Sequence, residues 1–524
     1  MTGLGWSCRL FSIDLRSLAL FRMGVGAIFL VDILFLRLPD LDAYYADGGM
    51  FTLEHARTWH GDTGRWSLCL IDGLAEYQAG ILALAACCSI LLILGWKTWW
   101  MTVACWVLAV SIGNRNPLVC NYGDTILRIF LFWSLFLPLG ARWSLDARRR
   151  RPTENQLSSQ SVCSVASAAA LLQLTFIYFF AAIWKWNDDW LQGTAAETAL
   201  QLEYARRETT LDQFIPPSLL QPLSVATLWL ELLGPLVVWI PWRTQIFRYG
   251  AIIAFLTLHF SIELLFTPVL LSYICAVAWM LFLPSSFWES RWIRRILRES
   301  TDATPVSGPE EIAPPNGFAL WRNRVMNGIC LVILCFAFLW NLASLPSEKL
   351  SFLTPQPVRW VGNVTLMGQK WNIFYRPSKH NGWHKAKASL ADGTVVDVLR
   401  NGEEFDVELL ESNWAYFDSI RGKLFFRRLG TMESLAPLGD PVAEFLRNRW
   451  TEEHDEDQRA NRLTLLYYER LDESAAGGFT AREAGTATTE TGPDWDAIFN
   501  PMDALMSGRP PVSSGDDQNN QDSR

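Results

Sequence analysis

Apolar residues fall in long blocks through the first two-thirds of the chain and in short alternating patches after that. Three runs hold no charged residue over the roughly 20 positions that a bilayer crossing needs: Val162–Trp184, Leu264–Pro284 and Val325–Leu345. Six further apolar segments are shorter or carry a polar interruption: Leu15–Leu36, Gly80–Gly95, Trp99–Gly113, Thr125–Gly140, Leu223–Pro241 and Tyr249–Glu263. Together they predict about nine spans. The first contains Arg22 and Asp32 and lacks a small-residue cleavage pattern, so it reads as a retained span and not a removable signal peptide.

After Leu345 the period shortens. Residues 350–470 alternate apolar and polar and carry turn signals at Ala391-Asp-Gly-Thr394, Arg400-Asn-Gly402 and Arg421-Gly-Lys423. Lys370–Tyr375, Val395–Leu399, Phe405–Leu410 and Lys423–Arg427 read as short strands, Pro441–Trp450 as a helix and Leu463–Arg470 as a late strand. Beyond about residue 473, Gly, Ala, Thr, Ser, Asp, Asn and Pro dominate, a composition that cannot bury enough apolar surface to fold. The expected architecture is an all-α integral membrane bundle over 10–345, a small exported β-rich domain over 346–472, and a disordered acidic tail over 473–524. No internal repeat stands out.

Composition agrees with the pattern. Half of the residues (50%) are hydrophobic and 19% are charged, with mean hydropathy +0.13. A soluble domain carries about a quarter charged residues, so the chain is not wholly soluble. Its 26 tryptophans suit membrane–water interfaces, where an apolar ring and a wet N–H are both satisfied. The net charge of −8 belongs to the end of the chain: residues 452–524 hold 16 Asp/Glu and 6 Arg. The remainder is near neutral, which argues against nucleic acid as a partner. The ten cysteines lie mostly in apolar segments without a CxxC pair, which supports neither a metal site nor a disulfide framework. Cys69 and Cys120 fall in loops on one predicted side and could pair.

Lysine and arginine counts set an orientation. With a cytoplasmic N-terminus, the inner segments hold 16 and the short outer loops hold 7. An odd number of spans then places the C-terminal domain on the exported face.

Ionisable groups inside apolar helices are expensive to bury and are functional candidates for that reason. They are Arg22, Asp32, Arg128, Glu231, His259 and Glu263, with Lys185 at an outer span end. His259 and Glu263, four apart, share a helix face. Arg22, Asp32 and Arg128 are also explained as mutual partners that hold the bundle together. Lys185 is one of only two lysines before residue 349. It sits in Ala182-Ile-Trp-Lys-Trp-Asn-Asp-Asp-Trp190, where it is either a desolvated base or a lysine snorkelling to the interface. Flanking Trp184 and Trp186 would exclude water there, whereas Asp188 and Asp189 would favour the charged ammonium.

An ordered set of these residues resembles the horizontally transferred transmembrane domain family, the membrane domain shared by vitamin K-dependent γ-glutamyl carboxylase and its bacterial relatives. The set runs Arg16…Arg22-Met-Gly24, Arg115-Asn-Pro117…Gly123-Asp124…Arg128, Phe136-Leu-Pro-Leu-Gly140…Ser144-Leu-Asp146 and Lys185…Trp190-Leu-Gln-Gly193. It continues through Glu231-Leu-Leu-Gly-Pro235, Leu258-His259-Phe260, Trp371-Asn-Ile-Phe374, Gly382-Trp383 and Ala391-Asp-Gly393. The resemblance implies that Lys185, five residues before Trp190, is a catalytic base, and that His259 lines the same site. Its implied co-substrates are a reduced vitamin K-type quinone, oxygen and carbon dioxide, with no metal. The implied activity is oxidation of the quinone to its epoxide, with or without coupled carboxylation of an exported protein. The sequence departs from the carboxylase in having no histidine between His60 and His259 and a shorter exported domain. Two other readings stand beside it. One is a non-enzymatic membrane module whose β domain binds an exported partner. The other, a transporter, lacks the broken helix pairs such proteins use.

Overall fold

The computed structural model describes residues 10–61, 63–149, 160–201, 207, 215–267, 270–297, 317–376, 382–406, 419–470 and 479–488. Contacts divide the chain into two compact units: Met1–Leu41 with Gly64–Asn381, and Asp42–Thr63 with Gly382–Arg524.

The first unit is helical. Its principal helices are α1 (Leu15–Val31, continuing as a π-turn to Arg37), α2 (Ala75–Leu94), α3 (Thr98–Arg115), α4 (Tyr122–Ser134) and α5 (Val165–Trp184). They are followed by α6 (Pro217–Val237), α7 (Thr244–Leu265), α8 (Leu271–Trp279), α9 (Gly317–Ala343) and α10 (Gln356–Thr365). Among the described residues, six helices are long and apolar enough to cross a membrane: Leu15–Arg37, Ala75–Leu94, Val165–Trp184, Ser218–Val237, Thr244–Leu265 and Arg324–Ala343. Several apolar helices of this length fit a multi-pass membrane protein. The other three expected spans correspond to α3, which carries three tryptophans and ends on Asn114-Arg115, and to the shorter α4 and α8. The uncharged run Leu264–Pro284 is not one helix. α7 ends at Leu265, Phe266 is extended, and α8 begins at Leu271. Pro268 lies in this gap in the sequence, and the residue before a proline disfavours helix.

α5 is the pivot of the unit, packing on α4, α6 and α9. Ser164 and Ser167 close a reciprocal capping box at its start. Ala166, Ala169, Ala170, Ala181 and Ala182 are all buried, and such small side chains let helix backbones approach closely. Its apolar window is 72% buried, against 17% for that of α9. Gln173 in mid-helix exchanges amide hydrogen bonds with Gln369 (2.8 and 3.1 Å) and accepts from Trp133 Nε1. Gln369 also accepts from Asn341 and Trp371, so one amide ties α4, α5 and α9 to the segment after α10.

The second unit is a five-stranded antiparallel sheet in the order β5-β4-β3-β6-β7, with helices against it. The strands are β3 (Gly382–Leu390), β4 (Val395–Asp397), β5 (Glu403–Glu404), β6 (Ala460–Arg470) and β7 (Phe479–Thr488); Ser12–Asp14 (β1) and Ser161–Cys163 (β2) pair in the first unit. Helices α11 (Ile420–Thr431) and α12 (Gly439–Glu453) complete it, and Tyr44 from the 42–63 segment packs on Phe425. Three expectations change here. Lys423–Arg427 is helical, because Phe425, Phe426 and Leu429 form a helix-spaced buried face and Ser419 caps the start. Lys370–Tyr375 is irregular: Phe374 takes a positive φ of 49°, which no strand tolerates. Within the expected disordered tail, Phe479–Thr488 is an ordered strand paired along β6. Phe405 and Asp406 are outside any strand, and residues 407–410 lie outside the described residues, as does the tail after Thr488. The helix expected at Pro441–Trp450 and the strand at Leu463–Arg470 are both present, each slightly longer.

Two predictions test this packing. A Cβ on Gly439 would meet the Ala484 carbonyl where α12 touches β7. Gly439→Ala should therefore destabilise the full chain by about 1–3 kcal/mol. Gly80 in α2 has no atom within 4 Å of such a Cβ, so Gly80→Ala should be neutral or stabilising by up to ~1 kcal/mol; thermal melts compare the two. The second concerns His384, buried in β3 against Phe426 and Tyr467. Burial, helped by the Arg482 cation, lowers its pKa to about 3. An unfolded histidine titrates near 6.5, so between these values only the unfolded chain takes up the proton. Stability is full above pH ~6.5 and falls by up to ~1.4 kcal/mol per unit as the pH drops through the window. His384→Gln should flatten that slope in acid melts followed by tryptophan fluorescence.

Candidate functional site

The candidate site forms where α5 ends. Tyr178 and Lys185 are seven residues apart and so lie on one helical face. Lys185 caps α5, its N–H bonding to the Ala181 carbonyl at 3.0 Å, and a cation at a helix C-terminus complements the negative end of the dipole. Its side chain does not snorkel. Lys185 is 1% exposed, and its Nζ donates to Glu231 Oε2 on α6 at 2.6 Å. The Trp190 ring lies 5.2 Å from the same Nζ, and Trp190 is held by its indole N–H on the Phe374 carbonyl. Ala182, Trp190, Ala195 and Leu228, with Leu232 and Phe374 against them, form the apolar cluster beside the ion pair.

His259 on α7 is buried in the same region, near enough to Lys185 for the ammonium charge to act on the ring. Its Nε2 lies 2.6 Å from the Tyr178 hydroxyl. Trp279 Nε1, which can only donate, gives its hydrogen to the Tyr178 oxygen at 3.1 Å. The Tyr178 oxygen has a second lone pair and its hydroxyl also meets Cys275, so the ring tautomer decides whether Tyr178 or His259 donates between them. His259 Nδ1 is buried without a hydrogen-bond partner, as is Trp184 Nε1. Phe255 stacks on Trp279 at 4.4 Å and on Tyr178 at 4.3 Å, making an aromatic wall behind the imidazole.

Of the residues singled out by sequence, the structure brings Lys185, Glu231 and His259 together and disperses the rest. Arg22 is buried in the middle of α1, donating to the carbonyls of Leu139, Arg142, Ile93 and Trp143. Asp32 pairs with Arg37 at 2.7 Å, the five-residue spacing that a π-turn aligns, and Arg37 reaches on to Asp124. The three candidates Arg22, Asp32 and Arg128 are therefore not partners of one another. Glu263 binds Arg207 at 2.6 Å and accepts from Tyr273. Asp188 and Asp189 are not the carboxylates at Lys185, and Trp186 is exposed, packing on Trp229. Cys69 and Cys120 are not joined by a disulfide. Tyr178 and Trp279 went unselected because an aromatic residue in an apolar run reads as core; the i, i+7 spacing of Tyr178 and Lys185 was the available signal.

A family model described as the HTTM domain matches residues 11–288, a stretch that holds Tyr178, Lys185, Trp190, Glu231, His259 and Trp279. No curated protein and no solved structure matches the chain.

Removing one member of a buried ion pair leaves the other charge uncompensated, at a cost of about 3–5 kcal/mol. Lys185→Met and Glu231→Gln should each lower stability on that scale, and the double variant by clearly less than their sum. A double-mutant cycle of melts in one detergent measures it; additive losses would mean that the two groups are not coupled.

Proposed function

The chain belongs to the HTTM-domain family, and from that premise we propose that it is a membrane enzyme of the vitamin K-dependent γ-glutamyl carboxylase type, oxidising a reduced quinone with Lys185 as the base. The observation that carries this reading is the buried Lys185–Glu231 pair beside His259, whose Nδ1 has no partner. A reduced quinone suits these residues. It is a flat apolar ring that an aromatic wall would accommodate, and its hydroxyl groups, which both donate and accept, would pair with the unpartnered His259 Nδ1 and Trp184 Nε1. Bound there, it would supply two protons and four electrons to one molecule of oxygen, one oxygen atom entering the epoxide and the other leaving as water.

The chain's own residues divide the work. Glu231 holds the Lys185 side chain in place and can take its proton, leaving a neutral amine able to accept another at Nζ. Trp190 and the apolar cluster keep water from the amine. Tyr178, fixed by Trp279, orients His259 through Nε2. In this proposal the N-terminus is cytoplasmic, and the Lys185 end of α5 and the second unit face the exported side, as the 16-to-7 lysine and arginine asymmetry supports. Carbon dioxide addition to an exported protein glutamate is the coupled step in the carboxylase. Here the assignment extends to quinone oxidation.

The test is quinone epoxidation by the purified full chain in lipid vesicles, followed by product chromatography, with carbon dioxide incorporation into a glutamate peptide scored in parallel. Lys185→Ala should lower epoxidation by at least ~100-fold, the scale of a lost general base. Tyr178→Phe should lower kcat more than it raises KM, because it acts through His259. Equal turnover by wild type and Lys185→Ala, or turnover by neither, defeats the reading.

A further inference from the structure

A cavity in the helical unit, of about 630 Å3, shares no lining residue with the Lys185 cluster. The ends of α3, α9 and α10, a turn of α4 and the segment after α10 enclose it. Four cations line it, Arg65, Arg128, Arg359 and Lys370, and no aspartate or glutamate does. Like charges gathered around a shared space repel, and the arrangement is favourable only if something negative enters it. Arg65 and Arg128 are close enough for that repulsion to be felt. Asp124, one turn before Arg128, is the nearby acid, but it is engaged by Arg37 and by the Asn121 N–H at the start of α4. Arg128 Nε is buried with no hydrogen-bond partner. Arg359 is braced by Nε donating to the Thr354 carbonyl at 2.9 Å, and Lys370 stands 5.0 Å from the Trp184 ring.

From this we propose that the cavity binds an organic phosphate, its phosphoryl group taken by Arg128, Arg65 and Arg359. Three guanidinium forks match the three terminal oxygens of a phosphomonoester, and its double negative charge offsets two cations where a carboxylate offsets one. The cavity is larger than a phosphoryl group requires, and Trp340 and Leu366 give the organic body an apolar wall. The same chemistry is presented by a soluble phosphate ester and by the headgroup of phosphatidic acid.

The experiment uses the full chain in phosphatidylcholine nanodiscs and reads melting temperature and tryptophan fluorescence. One arm titrates phenyl phosphate; another replaces part of the lipid with phosphatidic acid; a third titrates benzoate. Saturable binding of phenyl phosphate identifies a soluble ester. Stabilisation by phosphatidic acid alone identifies the lipid headgroup. Either result supports the proposal if R65Q/R359Q and R128Q each weaken the effect by about tenfold or more, the equivalent of ~1.4 kcal/mol. Replacing the exposed Arg65 and Arg359 removes two of the four like charges, so the unliganded melting temperature should hold or rise. Absence of an effect from both phosphates, an equal effect in R65Q/R359Q, or benzoate binding as tightly as phenyl phosphate would overturn it. The benzoate comparison uses wild-type protein, so it stands even if R128Q fails to fold. None of these readouts depends on quinone turnover.

Discussion

A charge or amide carried on an apolar helix must find its partner inside the protein, because neither lipid nor core supplies one. The helical unit is organised around that requirement. Arg22 converts it into a junction, gathering carbonyls from the end of α2 and the segment after α4 onto α1. Gly95, at φ 69°, sits where a side chain would collide with Arg22 and Ser144, so the turn after α2 can close around the guanidinium only with a glycine there. Gln173 and Gln369 do the same at mid-depth, where each amide satisfies the other. The Lys185–Glu231 pair answers the requirement at the far end of α5.

Because these anchors sit at different depths along α5 and its neighbours, the helices cannot slide or rotate without leaving several buried polar groups unpaired. Greasy surfaces alone would not fix that register, since lipid tails are as apolar as leucine side chains. The rigidity matters at the end of α5. There Lys185 Nζ stays within hydrogen-bond reach of the Glu231 carboxylate at 2.6 Å. The Trp279–Tyr178–His259 chain is held by the same logic: a donor-only indole fixes the tyrosine oxygen, which in turn holds the imidazole at Nε2.

The sequence alone disclosed much of the helical unit, because long apolar runs are local signals. The uncharged run Val162–Trp184 marked α5 to within a few residues. The break between α7 and α8 was less legible, since Leu264–Pro284 holds no charge and only a proline hinted at an interruption. In the second unit, residues 423–427 alternate over too short a window to separate strand from helix, and only Leu429 reveals the helical period. β7 was hidden for another reason. Its Gly, Ala and Thr composition looks like a disordered linker, and what orders it is pairing with β6, a non-local gain. At the site, Lys185 and His259 were visible through the family resemblance, whereas the Lys185–Glu231 contact joins residues 46 apart and no spacing rule reaches that far.

The departures from full pairing are as informative as the pairs. Arg22 and Arg248 each leave a buried Nε without a partner, yet their other nitrogens are committed to carbonyls, so structure explains them. His259 is different: with Nε2 engaged by Tyr178, its single remaining polar atom has nothing to bind. An imidazole held so rigidly and left half-satisfied is a costly way to fill a core, where leucine would pack without leaving an orphan polar atom. The expense is reasonable if a hydrogen-bonding group arrives from outside the chain. That requirement is the strongest argument the structure offers for a ligand beside Lys185, and it is independent of any likeness to a carboxylase.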